Sequence, residues 1–168
     1  MSSGPGNFPS SRVNSQERLA GDTGRGGFHV GRRPVSTRLE ETYRAYLKAL
    51  NERRLADLDE FVHDRVIYND RAWTRQQYAD LIAGDVRAIP DLHFGADLLV
   101  CTDDTVACRL VFDCNPEREF AGVEVAGHHV HFAEHVFYRF REGRIDQVWS
   151  LVDIDAIRQQ VRGRPSGT

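Results

Sequence analysis

Residues 127–153 read Gly127-His-His-Val-His-Phe-Ala-Glu-His-Val-Phe-Tyr-Arg-Phe-Arg-Glu-Gly143-Arg-Ile-Asp-Gln-Val-Trp149-Ser-Leu-Val-Asp153. Two runs rich in β-branched and aromatic residues flank Glu142-Gly143, a tight-turn signal, so the stretch predicts an antiparallel hairpin of strands 127–141 and 144–153. A turn centred there pairs residues whose numbers sum to about 284. On that register His135 faces Trp149 and His131 faces Asp153. Alternation then places these four on one sheet face with His129, Gln147 and Arg139. Asp153 and His131 would form a carboxylate–imidazole pair with Cβ atoms roughly 5 Å apart. A slip of one residue would break that pair.

Upstream, Leu92–Val100 and Thr105–Cys114 are also strand-like, joined by Asp103-Asp104, so a long meander fills the C-terminal half. The N-terminal half has helical periodicity. Thr37-x-x-Glu40 has the form of a capping box before Leu39, Tyr43, Tyr46, Leu47 and Leu50. Leu55, Leu58, Phe61 and Val62 suggest a second short helix, and Val66–Asn69 a short strand. Thr74-x-x-Gln77 is another capping box, opening a helix with Tyr78, Leu81, Ile82 and Val86 on one face and ending before Pro90. A last amphipathic turn carries Ile154, Ile157 and Val161. Helices followed by a meander predict an α+β domain, a strongly curved, mostly antiparallel sheet around N-terminal helices with a small-molecule cavity between them. The expected boundaries are a disordered Gly/Arg-rich leader over 1–36, the domain over 37–162 and a tail over 163–168.

Composition narrows the function. The chain has 168 residues, 40% hydrophobic and 28% charged, with a formal net charge of −3. The pI near 6.2 argues against a nucleic-acid partner. Five Arg against Glu17 and Asp22 give the leader about +3 and leave about −6 for the rest. No apolar run is long enough to span a membrane, and the N-terminus lacks the apolar stretch of a secretory signal. Cys101, Cys108 and Cys114 form no CxxC motif, and Cys108 and Cys114 read as small core residues in a reducing compartment. The expected location is cytoplasmic.

The run Phe140 to Asp153 resembles the aromatic residue, charged Gly turn and Trp-then-Asp strand of the SnoaL-like polyketide cyclases, in the NTF2-like superfamily. Ile89-Pro90-Asp91-Leu92-His93-Phe94 is similar to that family's Pro-Asp entry into its first long strand, and Ala121–Gly127 to its loop with two spaced glycines. The resemblance covers Leu39 to Gln160. The chain departs from the pattern at Gln147, where an acidic residue is common, and at Gln159–Gly163, where members often end in Gln-Leu-Gly. The resemblance implies a cone-shaped α+β barrel, a homodimer and ring closure or isomerisation of a natural product without a cofactor. It also implies a general acid/base at Asp153.

The expected catalytic residues are therefore Asp153, His131 and His135, and the expected substrate-binding residues Trp149, Tyr68, Asn69, Trp73 and Arg109. Each has a plainer reading beside it. Asp153 is placed to cap the last helix, the histidines to be satisfied structural groups, and Trp149 to be core. Asn69 and Asp70 suit a turn, Trp73 a hydrophobic staple, and Arg109 an ion pair. His129 and His131 are spaced as two metal ligands would be, but the remaining ligands of such a site are missing from the sequence, so no metal is expected. The function expected is a cofactor-independent cyclase or isomerase closing a ring by acid/base catalysis, through an aldol or an ether/epoxide step. The alternatives are a non-catalytic small-molecule binding or assembly module and a His-ligated metal enzyme.

Overall fold

The computed structural model describes residues 35–162, with side chains from Thr37 onward. The tail from 163 and all of the expected leader except Val35 and Ser36 lie outside the described residues. Helix α1 (Val35–Asn51) leads through a 3-10 turn (Leu55–Glu60) into β1 (Val62–Tyr68), β2 (Arg71–Thr74) and α2 (Arg75–Ala88). The meander follows as β3 (Gly95–Cys101), β4 (Thr105–Cys114), β5 (Val130–Arg141) and β6 (Arg144–Val152), closed by α3 (Ile154–Arg162). One curved, unclosed six-stranded sheet has the order β2-β1-β6-β5-β4-β3. This is the α+β, NTF2-like architecture the sequence predicts. All neighbours are antiparallel except β1 and β6, which run parallel.

Alternation decides which face is inside. Along β5, Val130, Phe132, Val136, Tyr138 and Phe140 are buried while His131, His135, Phe137, Arg139 and Arg141 are exposed. On β4 the buried set is Val106, Cys108, Leu110, Phe112 and Cys114. These residues pack against Tyr43, Tyr46, Leu47 and Leu50 of α1 and Tyr78 and Ile82 of α2. The helices thus cover the concave face, as hydrophobic period and strand parity require.

The β5–β6 register differs from the sequence expectation in a definite way. Glu142 and Gly143 both have positive φ, 51° and 78°, the two-residue turn that suits a hairpin. Arg141 pairs Arg144 and Phe140 pairs Ile145, but a bulge then makes Arg139 pair Gln147, leaving Asp146 as the extra residue. Above it Phe137 faces Trp149 and His135 faces Leu151. His131 faces Asp113 of β4, and Asp153 lies one residue beyond β6. The expected His131–Asp153 and His135–Trp149 pairs are therefore not formed.

Smaller differences have local causes. α1 begins at Val35, so Thr37 lies inside it, and Glu40 turns forward to Arg44 at 2.8 Å instead of closing a capping box. The expected second helix is the short 3-10 turn, because Val62 already belongs to β1. The Thr74–Gln77 capping box is present in both halves.

Candidate active site

A cavity of about 200 Å³ opens between the concave sheet face and α2. Its apolar wall is a run of rings. Phe94 meets Phe112 edge-on at 5.7 Å, Phe112 stacks on Phe132 at 5.0 Å, and Phe120 lies 5.5 Å from Phe132. Phe120 comes from the loop between β4 and β5. A tight turn at Ala121-Gly122, both with positive φ, is held by two Phe120–Val123 backbone hydrogen bonds of 3.0 and 2.9 Å. The same loop is pinned to α2 where the Glu117 N–H donates to the Ala88 carbonyl at 2.9 Å.

The opposite side is polar. Glu134 is the one carboxylate in the inward set of β5, and Ser150 of β6, also inward, donates its hydroxyl hydrogen to Glu134 Oε1. Asp85 comes from α2, on the face that carries Tyr78 and Ile82. Tyr68 of β1 completes the group, its ring 4.8 Å from Trp73 and its phenol interacting with Ser150. Asn69 fixes Ser150 from below. Its amide donates to the Ser150 carbonyl at 3.2 Å and its carbonyl accepts the Ser150 N–H at 2.9 Å. Asn69 and Asp70, with φ of 44° and 64°, form the β1–β2 turn that makes this reach possible.

Electrostatics separate the two carboxyl groups. Burial first and the charge of Glu134 second push Asp85 up to about 7. Burial also raises Glu134, while the Ser150 hydrogen bond pulls it back down. The Ser150 hydrogen bond favours the charged form of Glu134, and the Glu134 charge in turn favours the protonated form of Asp85. Burial raises the Tyr68 phenol as well, so it stays a neutral donor.

The residues expected from sequence fall in two places. Tyr68 lines the cavity, Trp73 backs it, and Asn69 acts through Ser150. The others do not surround it. Trp149 is on the outer face, where its indole N–H donates to Asp70 Oδ1 at 3.1 Å and Arg139 lies 5.8 Å over its ring. Arg109 is also on the outer face, paired with Asp97 at 2.6 Å. His131 and His135 are exposed on that same face. Asp153 is exposed and caps α3, its Oδ1 accepting the Ala156 N–H at 3.0 Å. His135 and Asp153 share an open surface depression of about 430 Å³ with Leu151 and Arg158, remote in character from the aromatic cavity. His129 turns to Asp113 at 2.6 Å, and among the described residues no three His, Cys, Asp or Glu side chains converge as metal ligands. The reason for this placement is strand parity: the histidine-bearing positions of β5 are the odd ones, and the odd positions face outward.

Glu134 and Asp85 were missed, yet each left a signal. Glu134 interrupts the apolar alternation Val130, Phe132, Val136, Tyr138 and Phe140. Asp85 sits four residues after Leu81 and seven after Tyr78, on the apolar stripe of an amphipathic helix.

A curved, unclosed sheet wrapped over helices, with a carboxyl-bearing cavity between them, is the NTF2-like architecture. Residues 40–161 match the SnoaL-like polyketide cyclase family, and the chain belongs to it. It is similar to a SnoaL-like polyketide cyclase from Agrobacterium tumefaciens, at 41% identity and TM-score 0.71 over 73% of this chain and 97% of that one. IdmH of Streptomyces antibioticus, a candidate polyketide cyclase, aligns at 21% identity and TM-score 0.65 over 74% and 98% of the two chains. AclR of Streptomyces galilaeus, a candidate hydroxylase, aligns at 20% identity and TM-score 0.64 over 77% and 99%. No curated protein matches the chain. Among the described residues no helix is long and apolar enough to cross a membrane.

Proposed function

We propose that the protein is a cofactor-independent cyclase in which Glu134 and Asp85 move the protons. The observation that carries this reading is two carboxyl groups, Glu134 and Asp85, lining one aromatic cavity, where burial first and the Glu134 charge second raise Asp85 to about 7. The Glu134 carboxylate removes a proton from the carbon beside a substrate carbonyl, and Asp85 gives its proton to the oxygen that takes up the charge. The resulting enol carbon attacks a second carbonyl and closes the ring. The proton on Glu134 passes to the new alkoxide, and Asp85 recovers its own from the first oxygen as the carbonyl re-forms. Ser150 orients Glu134, and Asn69 holds Ser150. Asp153 acts as the cap of α3, and the ring closure is of the aldol type.

Two further features belong to the same proposal. Leu151, Leu98, Val100 and Phe137 are 70%, 60%, 53% and 52% exposed on the outer sheet face, an apolar surface spread over three strands. We propose that a second copy of the chain covers it in an isologous sheet-to-sheet homodimer. The protein would work in the cytoplasm, where Cys101, Cys108 and Cys114 remain thiols.

Exchange of the α-protons of 2-tetralone in D2O, followed by NMR, tests the acid/base pair without knowledge of the natural substrate. Wild type accelerates the exchange, and the rate falls as pH rises through about 7 and Asp85 loses its proton. Glu134→Gln loses the acceleration. Wild-type protein with no exchange above buffer would leave a binding module in place of an enzyme.

A further inference from the structure

The lining of the cavity has a composition with a consequence for the ligand. Tyr68, Asp85, Glu134 and Ser150 supply its polar groups, and Phe and aliphatic side chains supply the rest; among the described residues no Lys, Arg or His lines it. Its volume of about 200 Å³ is below the roughly 300–1,000 Å³ that encloses a drug-sized molecule. A dry cavity of about 150 Å³ holds a benzene ring, so this one has room for one or two fused rings. The stacked Phe112 and Phe132 offer a flat apolar wall to such rings. An anionic group entering here would give up its water, find no cation, and face a carboxylate.

We infer that the site takes an uncharged one- or two-ring compound bearing a hydroxyl or carbonyl, and rejects the same skeleton when it carries a carboxylate. The inference rests on the cavity being the substrate site of the proposed cyclase, and it names that substrate's class. The oxygen of the ligand lies on the side of Asp85, Tyr68 and Ser150, with the rings against the phenylalanines. The selection is a penalty imposed by what the cavity lacks, and it needs no additional contact.

Calorimetric titration of the full chain with 2-naphthol, 2-naphthoate and 1-hydroxypyrene at pH 7.5 tests this. These probes vary charge at nearly constant size, then size at constant charge. The expected result is saturable binding of 2-naphthol, binding of 2-naphthoate at least tenfold weaker, and none of 1-hydroxypyrene. In Asp85→Asn/Glu134→Gln the ratio of naphthol to naphthoate affinity should shrink at least fivefold. Naphthoate binding as tightly as naphthol in wild type, naphthol not binding, or hydroxypyrene binding as well as naphthol each overturns the inference. So does a gap unchanged in the folded double variant; the wild-type comparison decides the matter if that variant does not fold. Selective naphthol binding without tetralone exchange would sink the acid/base reading and leave the ligand class standing.

Discussion

Strand β5 has two faces with opposite logic. Its inner face is apolar except for Glu134, and that single exception is the residue the cavity is built around. Its outer face carries His131, His135 and Arg139, three side chains with more obvious chemistry, yet each is exposed to water. A carboxyl group in water has its ordinary acidity, whereas burial in a phenylalanine-lined cavity shifts it upward, as it does for Glu134 and Asp85. What matters for chemistry is thus the environment of a group more than its type.

The largest effect expected from this contrast concerns turnover. Glu134→Gln should lower tetralone exchange by roughly a hundredfold to ten-thousandfold, while His131→Ala and His135→Ala leave it within about threefold, well short of what removing a positioned acid or base costs. Equal losses on both faces would erase the distinction. On the outer face the expected change is in assembly. Leu151→Glu places a charge in the proposed interface and should yield monomers by analytical ultracentrifugation at concentrations where wild type is dimeric. Wild-type monomers at every concentration would remove the second copy from that face.

Much of this was legible in the sequence. The Thr74–Gln77 box, the β4 limits, the Glu142-Gly143 turn and the α3 stripe all follow from local signals that the fold keeps. The register of β5 against β6 was not legible, because a bulge at Asp146 inserts one residue with no distinctive sequence mark. The inward position of Glu134 was hard to read for another reason. Histidines drew attention to the odd positions, although the even ones form the longer apolar alternation and so had to face the core. Asp85 and Tyr68 meet across a long chain separation from Glu134, and only the tertiary fold brings them to one cavity.

Stability offers a smaller contrast between the faces. Asp85 binds its proton more tightly folded, about 7, than unfolded, about 3.9. Its contribution to stability is complete below about pH 4 and is lost as pH rises through about 7. Asp85→Asn carries no charge to bury, so its stability relative to wild type should rise between pH 5 and pH 8, by on the order of 1 kcal/mol or more, in urea titrations. A difference independent of pH would contradict the burial argument. Asp153→Ala, outside the cavity, should cost about 1 kcal/mol at both pH values through the lost cap, and Asp153→Asn only a few tenths, with tetralone exchange retained in both. Loss of exchange in a folded Asp153→Asn would return the proton to that residue.

The side-chain carboxyl 13C resonance of Asp85, followed by NMR from pH 3 to pH 10, tests the carboxyl pair most directly. The predicted result is a midpoint near 7 in wild type that moves down in Glu134→Gln, once the neighbouring charge is gone but the burial remains. A midpoint near 4 in wild type, or one that Glu134→Gln leaves unmoved, would mean that the two carboxyl groups do not form the coupled pair on which the proposed chemistry depends.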